Sequence, residues 1–168
     1  FLYFSGHFSH TPRNTIALEL MVAAMLKVDA TILQLQGQWL AIETEDQSRM
    51  PGRRDRNGLS NQLGVGIIVG ERVWNIQSKF RIRLGPVSYG QFERFMPSGD
   101  LLRPLSQFAR TYSGPDLDFD VQVILLAAEV PECQLGGPIE TRLGWNTWLI
   151  CRPFPHDADD VVFSLPDV

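Results

Sequence analysis

The sequence has little of what marks secreted, metal-binding or membrane-spanning proteins. Its 168 residues include only two cysteines, Cys133 and Cys151, too few for a disulfide scaffold or for a zinc site made of paired CxxC motifs. We therefore expect both to be thiols in a reducing compartment. No apolar run reaches the ~20 residues that a membrane-spanning helix needs. These absences favour a globular protein without a membrane span.

A surplus of positive charge is also missing. The net charge is −4 at pH 7, which disfavours nucleic acids and anionic membranes as partners because both attract an excess of Lys and Arg. One local basic cluster could bind a phosphate; it consists of Arg49, Arg53, Arg54 and Arg56. Acidic residues close by dilute it, so a solvated loop or a protein-docking loop is the favoured interpretation.

Residues that could carry catalysis or hold a metal are sparse. His7 and His10 could share one face of a helix and bind a metal together with His156 or Asp157. Their segment contains Gly6 and two serines and precedes the expected helix start, so ordinary loop histidines are favoured. The sequence nowhere assembles a nucleophile, a base and an oxyanion stabiliser. We predict no enzyme activity, no cofactor and no metal site.

A run of alternating aspartates resembles the start of a calcium-binding loop. Asp116, Asp118 and Asp120 have the spacing, but the glycine and the distal glutamate of such a loop are missing. Their alternation with Phe119 and Val121 is typical of a strand. That pattern places Asp118 and Asp120 on a solvent-exposed face.

The first half of the chain predicts a helix, a strand, a loop and a second strand. Thr11 and Pro12 are typical of a helix start. From Ile16 to Leu26 only Glu19 is polar, so we expect a helix buried on nearly all sides, in which Leu20→Ala would cost roughly 2–5 kcal/mol. The expected elements are helix 12–27, strand 31–39 with Gly37 at a bulge, loop 43–62 and strand 63–69.

The second half predicts the same order. Leu101, Leu105, Phe108 and Tyr112 share one face of a helix. The expected elements are helix 101–113, strand 117–128, loop 130–142 and strand 143–150.

Between the halves, apolar and basic residues alternate in a way that is typical of a strand. Phe80, Ile82 and Leu84 should face the core, while the basic residues between them face water. Gly85-Pro86 is expected to stop this strand, and a short helix is expected over residues 88–95.

One short match links the two halves. Leu63-Gly64-Val65 is echoed by Leu143-Gly144-Trp145 at the same place in the order of elements. We therefore predict an α+β fold of two related helix–strand–loop–strand units in tandem, with mostly antiparallel strands. The units are assigned to residues 1–76 and 77–152, and an extended, weakly ordered acidic tail to 153–168. The echoed residues are interpreted as structural support, and the unlike loops before them as the carriers of function.

Several long segments match a known family in order. They are Leu63-Gly64-Val65, Gly70-Glu71-Arg72-Val73-Trp74-Asn75, Gln77-Ser78-Lys79-Phe80-Arg81-Ile82-Arg83-Leu84-Gly85-Pro86, Gly37-Gln38-Trp39-Leu40, Phe92-Glu93-Arg94-Phe95-Met96-Pro97-Ser98-Gly99-Asp100 with Leu105, and Arg142-Leu143-Gly144-Trp145-Asn146-Thr147-Trp148-Leu149. Together these segments resemble TssG, a baseplate subunit of type VI secretion systems that is also called the VasB/ImpH family. The resemblance covers residues 1 to about 149. The family's N-terminal region is absent here and the sequence lacks an initiator Met, so we expect it to be part of a longer chain.

The resemblance implies a structural role without catalysis. TssG-like proteins form a cytoplasmic baseplate wedge with a TssF subunit, docked at the inner membrane complex through trimers of the adaptor TssK. Two protruding loops of TssG-like proteins serve as feet for two such trimers. The resemblance thus implies TssF-like and TssK-like partners, leaves other baseplate subunits open as further ones, and implies no direct membrane insertion.

The two feet are assigned to loops 43–62 and 130–142. Binding energy at an interface concentrates in a few apolar side chains that lose their contact with water. The candidate partner-binding residues are therefore the apolar ones in or beside these polar loops: Ile42, Met50, Leu59, Val130, Leu135 and Ile139. The alternative is a generic α+β protein-binding domain, which would have one partner site rather than two.

Overall fold

The computed structural model describes residues 2–9, 13–52, 60–133, 136, 141–149 and 154–164. The helices are α1 (Ser5–Ser9), α2 (Thr15–Leu26), α3 (Tyr89–Phe95) and α4 (Leu102–Ser113), with single 3-10 turns at Leu2–Phe4 and Ala127–Glu129. The strands are β1 (Ala30–Leu33), β2 (Gln38–Ala41), β3 (Arg72–Asn75), β4 (Lys79–Val87), β5 (Asp118–Leu125) and β6 (Val162–Ser164). This content confirms the α+β class.

The chain forms two compact units. The larger one comprises residues 1–34 and 80–168, and the smaller one comprises residues 35–79. The smaller unit is therefore an insertion between β1 and β4. The two related helix–strand–loop–strand units in tandem remain a prediction.

A four-stranded sheet, in the order β1-β4-β5-β6, organises the larger unit. The pairs β1–β4 and β5–β6 are antiparallel. The central strands β4 and β5 run in the same direction, because Arg81 bonds Asp120 near their starts and the Leu126 N–H donates to the Val87 carbonyl past their ends. Helices α3 and α4 form the crossover that two parallel strands require. Two of the three pairings are antiparallel, as expected.

Helix α2 is buried on one face only. The Asn14 side chain caps it by accepting from the Ile16 N–H, so the helix begins after Asn14; Thr11 and Pro12 lie outside the described residues. Met21 and Val22 are buried, whereas Ile16 and Leu20 are both 61% exposed. The expectation of burial on nearly all sides was wrong. An apolar sequence without polar markers does not show which side of a helix faces water.

The exposure of Leu20 changes the expected effect of its truncation. Leu20→Ala should lower the free energy of unfolding by less than about 1 kcal/mol, because little apolar surface is buried there. Met21→Ala, one residue along and fully buried, should cost roughly 2–5 kcal/mol. Urea unfolding of both variants measures the difference. Equal costs would contradict the orientation of this helix.

The strand expected over 31–39 is in fact two strands in different units. Strand β1 ends at Leu33, and β2 begins at Gln38 and pairs with β3 in the smaller unit. There Trp39 and Trp74 lie opposite each other, with ring centroids 5.3 Å apart. A Cβ on Gly37 would lie 1.9 Å from the Trp74 ring. Gly37 therefore permits a close approach of backbone and ring rather than forming a bulge.

The central strands β4 and β5 bury more of their side chains than the alternation of apolar and polar residues predicts. Phe80, Ile82 and Leu84 are buried as predicted. Strand β4 nevertheless continues through Gly85-Pro86 to Val87, which corrects the expected stop. In β5, Asp118 is exposed but Asp120 and Gln122 are buried, so the aspartates do not share an exposed face. Two buried polar side chains in one strand require partners, which Arg81 and the Asp159 carbonyl supply.

The segment expected to be a weakly ordered tail returns to the sheet. Strand β6 pairs with β5, and Ala158 exchanges backbone hydrogen bonds with Leu125. Val161 and Phe163 are buried in the core. The apolar residues of this acidic segment cover the β5 edge of the sheet, which explains why it is ordered.

Candidate docking loops

The first candidate loop leaves β2 and returns to β3. The Ile42 N–H donates to the Glu71 carbonyl, which extends the two-stranded ladder by one residue. The Ser48 hydroxyl accepts from the Ile68 N–H at 3.0 Å and ties the outgoing arm of the loop to the returning one. These two bonds hold the outgoing and returning arms of the loop together at its base.

The candidate residues of this loop differ in exposure. Ile42 is half-buried, whereas Met50 is 81% exposed. Leu59 lies outside the described residues. Met50 is thus the predicted anchor that the structure places clearly in solvent.

The second candidate loop starts from a packed position. Val130 follows the 3-10 turn after β5, is half-buried and packs against the core. Leu135 and Ile139 lie outside the described residues. Val130 is less available to a partner than its sequence position suggested.

The end of the second loop is held by buried polar groups. Asn146 is buried; its amide donates to the Tyr89 hydroxyl at 3.2 Å, and its carbonyl oxygen accepts from the Arg142 N–H at 2.7 Å. Burial raises the pKa of the Tyr89 hydroxyl, with the Asn146 hydrogen bond opposing and Glu93 adding to the shift. The hydroxyl therefore stays protonated at neutral pH. Trp148 is also buried and donates to Asp160. This anchoring fixes the point at which the loop rejoins the core.

The echoed Leu-Gly stretches are turns, not strands. The Gln62 carbonyl accepts from the N–H groups of Val65 and Gly66, both at 3.2 Å. The Arg142 carbonyl accepts from the N–H groups three and four residues further on, at 3.1 and 3.2 Å. The structure has no strand over residues 63–69 or over 143–149, the described part of the second segment, so the expected strands were wrong there. Apolar residues suggested strands, but each stretch has a glycine at a turn position with positive φ.

The tips of these turns are solvent-exposed. Leu63 is 89% exposed and Leu143 is 93% exposed. Interpreting the echoed leucines as structural support was wrong, because neither side chain packs against a core. Sequence reasoning missed them since an apolar residue beside a glycine fits a strand edge as well as a turn. The alternative signal was the recurrence of Leu-Gly after a polar loop, which is also typical of turns.

The histidine and cysteine candidates that the structure describes do not form a site, and Cys151 lies outside the described residues. His7 is exposed on α1, and His10 lies outside the described residues. Among the described residues, no group of three or more His, Cys, Asp or Glu side chains could hold a metal ion. Cys133 is a half-buried free thiol. None of the helices in the described ranges is long and apolar enough to cross a membrane.

Comparison with known protein families identifies the family of the chain that carries these loops. The family model of TssG, a protein of type VI secretion, matches residues 1–150. The chain belongs to the TssG family. This confirms the resemblance found in the sequence, and the match includes both candidate loops. A comparison with curated proteins finds no match.

Two solved structures share the fold of this TssG-family chain. A chain in the cryo-electron-microscopy structure of the type VI secretion TssK-TssF-TssG baseplate subcomplex aligns with a TM-score of 0.73 and 14% identity, over 99% of this chain and 69% of that one. A chain in a structure of the type VI secretion baseplate complex aligns with a TM-score of 0.64 and 16% identity, over 98% of this chain and 45% of that one. The likeness extends past residue 150, so it includes β6.

Proposed function

We propose that this TssG-family chain is a non-enzymatic wedge component of a type VI secretion baseplate. In this role it contacts a TssF subunit and docks TssK trimers through loops 43–62 and 130–142, in the cytoplasm beside the inner membrane complex. The observation that carries the proposal is the family match over residues 1–150, which spans both loops. The likeness of fold to a chain in a TssK-TssF-TssG complex supports it.

The first loop is suited to docking because its base is fixed and its apolar residue is free of the core. The Ser48–Ile68 hydrogen bond holds the two arms together, and Met50 lies nearby in solvent. Met is adaptable at interfaces because its side chain is unbranched and polarizable. Burying it against a partner would contribute on the order of 1.5–3 kcal/mol.

The test uses the chain co-expressed with TssF and TssK of the same secretion system. Native mass spectrometry should show two TssK trimers per chain. Met50→Asp and Leu135→Asp should each weaken binding of one trimer at least tenfold in Kd, because a charge in an apolar contact is costly. The melting temperature of Met50→Asp should stay at the wild-type value, since that side chain is exposed. Leu20→Asp, also at an exposed apolar residue but outside the loops, is the matched control.

Other outcomes would reject parts of the proposal. One trimer per wild-type chain would favour the generic binding domain with a single partner site. Wild-type affinity in both loop variants would remove Met50 and Leu135 as anchors. No binding of TssF or TssK at all would reject the baseplate role.

A further inference from the structure

The two Leu-Gly turns are the same local structure built in two different places. In each, one carbonyl accepts from the N–H groups three and four residues on, at 3.1–3.2 Å. In each, the residue after the leucine is a glycine with positive φ, +77° at Gly64 and +80° at Gly144. Positive φ at this position is what a type II turn requires. The leucine before it therefore occupies the corner of the turn in both copies.

The surroundings of the two turns are not alike. Val65 is exposed, whereas its counterpart Trp145 is half-buried, stacks under the Arg142 guanidinium and contacts the Phe163 ring. The first turn belongs to the smaller unit and the second to the larger. What the turns share is the backbone conformation and the leucine at the corner, both of which face solvent.

A single exposed leucine on a protein surface is ordinary. Two leucines at the corners of matching turns, each at the end of a candidate docking loop, are not explained by packing, because neither contacts a core. One receptor surface can recognise both, since each presents the same side chain on the same backbone shape. The recurrence therefore points to two copies of one partner rather than to two different partners.

We propose that Leu63 and Leu143 are equivalent anchor residues, each inserted in an apolar pocket of one TssK trimer. This inference rests on the proposed function and deepens it. It adds to the unlike anchor residues within the loops a recognition element that both loops share, the leucine at the turn that ends each loop. The glycines act through conformation alone, because a Cβ at either position would meet no atom within 4 Å.

The test titrates purified TssK trimer against the chain and counts the bound trimers by native mass spectrometry. Leu63→Asp and Leu143→Asp should each lose one trimer, and the double variant should lose both. Each site should weaken at least tenfold in Kd, as expected when a buried leucine is lost from an interface. Leu63→Met, which keeps the apolar volume, should bind within about threefold of wild type.

Matched controls separate recognition from loss of fold. Val69→Asp and Leu149→Asp introduce the same charge at almost fully exposed apolar residues close to each turn, and both should leave the stoichiometry at two. Gly64→Ala and Gly144→Ala keep the leucine but strain the turn, and each should weaken its own site. Normal binding by both glycine variants would overturn the claim that the turn conformation is recognised.

The result separates this inference from the proposed function. If the wild-type chain binds two trimers and the double leucine variant still binds two with unchanged Kd, the anchors are wrong and the docking role stands. If the wild-type chain binds no trimer, the docking role itself fails. A single variant that releases both trimers would contradict two independent, equivalent sites.

Discussion

Gly85→Ala is expected to lower the free energy of unfolding by about 3 kcal/mol or more. Gly85 has a φ of +114°, which costs a residue with a side chain on the order of 1–3 kcal/mol. A Cβ there would also lie 2.6 Å from the Ile124 carbonyl oxygen and 3.0 Å from the Val87 nitrogen. The carbonyl oxygen belongs to β5 and the nitrogen to β4 itself, so relief requires moving β4 away from β5 and also bending the backbone of β4. Such overpacking typically costs a further 1–3 kcal/mol.

Urea denaturation followed by circular dichroism measures this loss. Gly90→Ala is the matched control, because Gly90 lies inside α3 and a Cβ there meets no atom within 4 Å. That change should be neutral or should stabilise by about 0.5–1 kcal/mol, since alanine favours helix. A Gly85→Ala variant with the wild-type denaturation midpoint would refute the close contact between β4 and β5 at this position.

Asp120→Ala is expected to lower the free energy of unfolding by about 3 kcal/mol. The Asp120 carboxylate is 1% exposed and receives two bonds from Arg81, Nε–Oδ1 at 2.6 Å and a terminal nitrogen to Oδ2 at 2.9 Å. The hydrogen bond to Asp120 raises the pKa of Arg81, so the guanidinium keeps its charge. Removing the carboxylate leaves that charge partly buried without its partner. Breaking such pairs costs roughly 3–5 kcal/mol, and the partial exposure of Arg81 places this pair at the lower end.

A second ion pair in the chain provides the comparison. Arg94 and Asp100 have the same two-bond geometry, at 3.0 and 2.8 Å, but both side chains are more than half exposed. Asp100→Ala should therefore leave the thermal midpoint nearly unchanged, because water screens exposed pairs. Replacing Arg81 and Asp120 together by Met and Leu should recover most of the stability lost in Asp120→Ala. Equal thermal shifts for Asp100→Ala and Asp120→Ala would show that burial does not decide the strength of these pairs.

The Arg81–Asp120 pair also shows where sequence reasoning ends. Alternation predicted the inward side of β4 correctly, because Phe80, Ile82 and Leu84 leave only one apolar face. It failed for β5 because that strand lies at the centre of the sheet and is covered on both faces. The partners that make a buried Asp120 tolerable come from Arg81, far away along the chain. Local periodicity contains no information about such a partner.

The candidate docking loops also show that local sequence does not reveal contacts with distant parts of the chain. The sequence placed the loops and detected the Leu-Gly echo, because both depend on residue type and order. It did not identify the turns, since the exposure of Leu63 and Leu143 depends on whether a neighbouring element covers them. Met50 shows that composition can find an exposed apolar side chain in a loop, and Val130 shows that it can also select a residue that packs inward.

The smaller unit begins and ends at neighbouring points of the fold. Leu33 and Arg81 are paired across β1 and β4, and the Gln36 N–H donates to the Lys79 carbonyl. The chain thus departs and comes back where a tight hairpin could have joined the same two strands. Residues 35–79 therefore stand in the place of a hairpin turn. Because the entropy of loop closure rises only slowly with loop length, a segment of this length can join β1 to β4 while Leu33 and Arg81 stay paired.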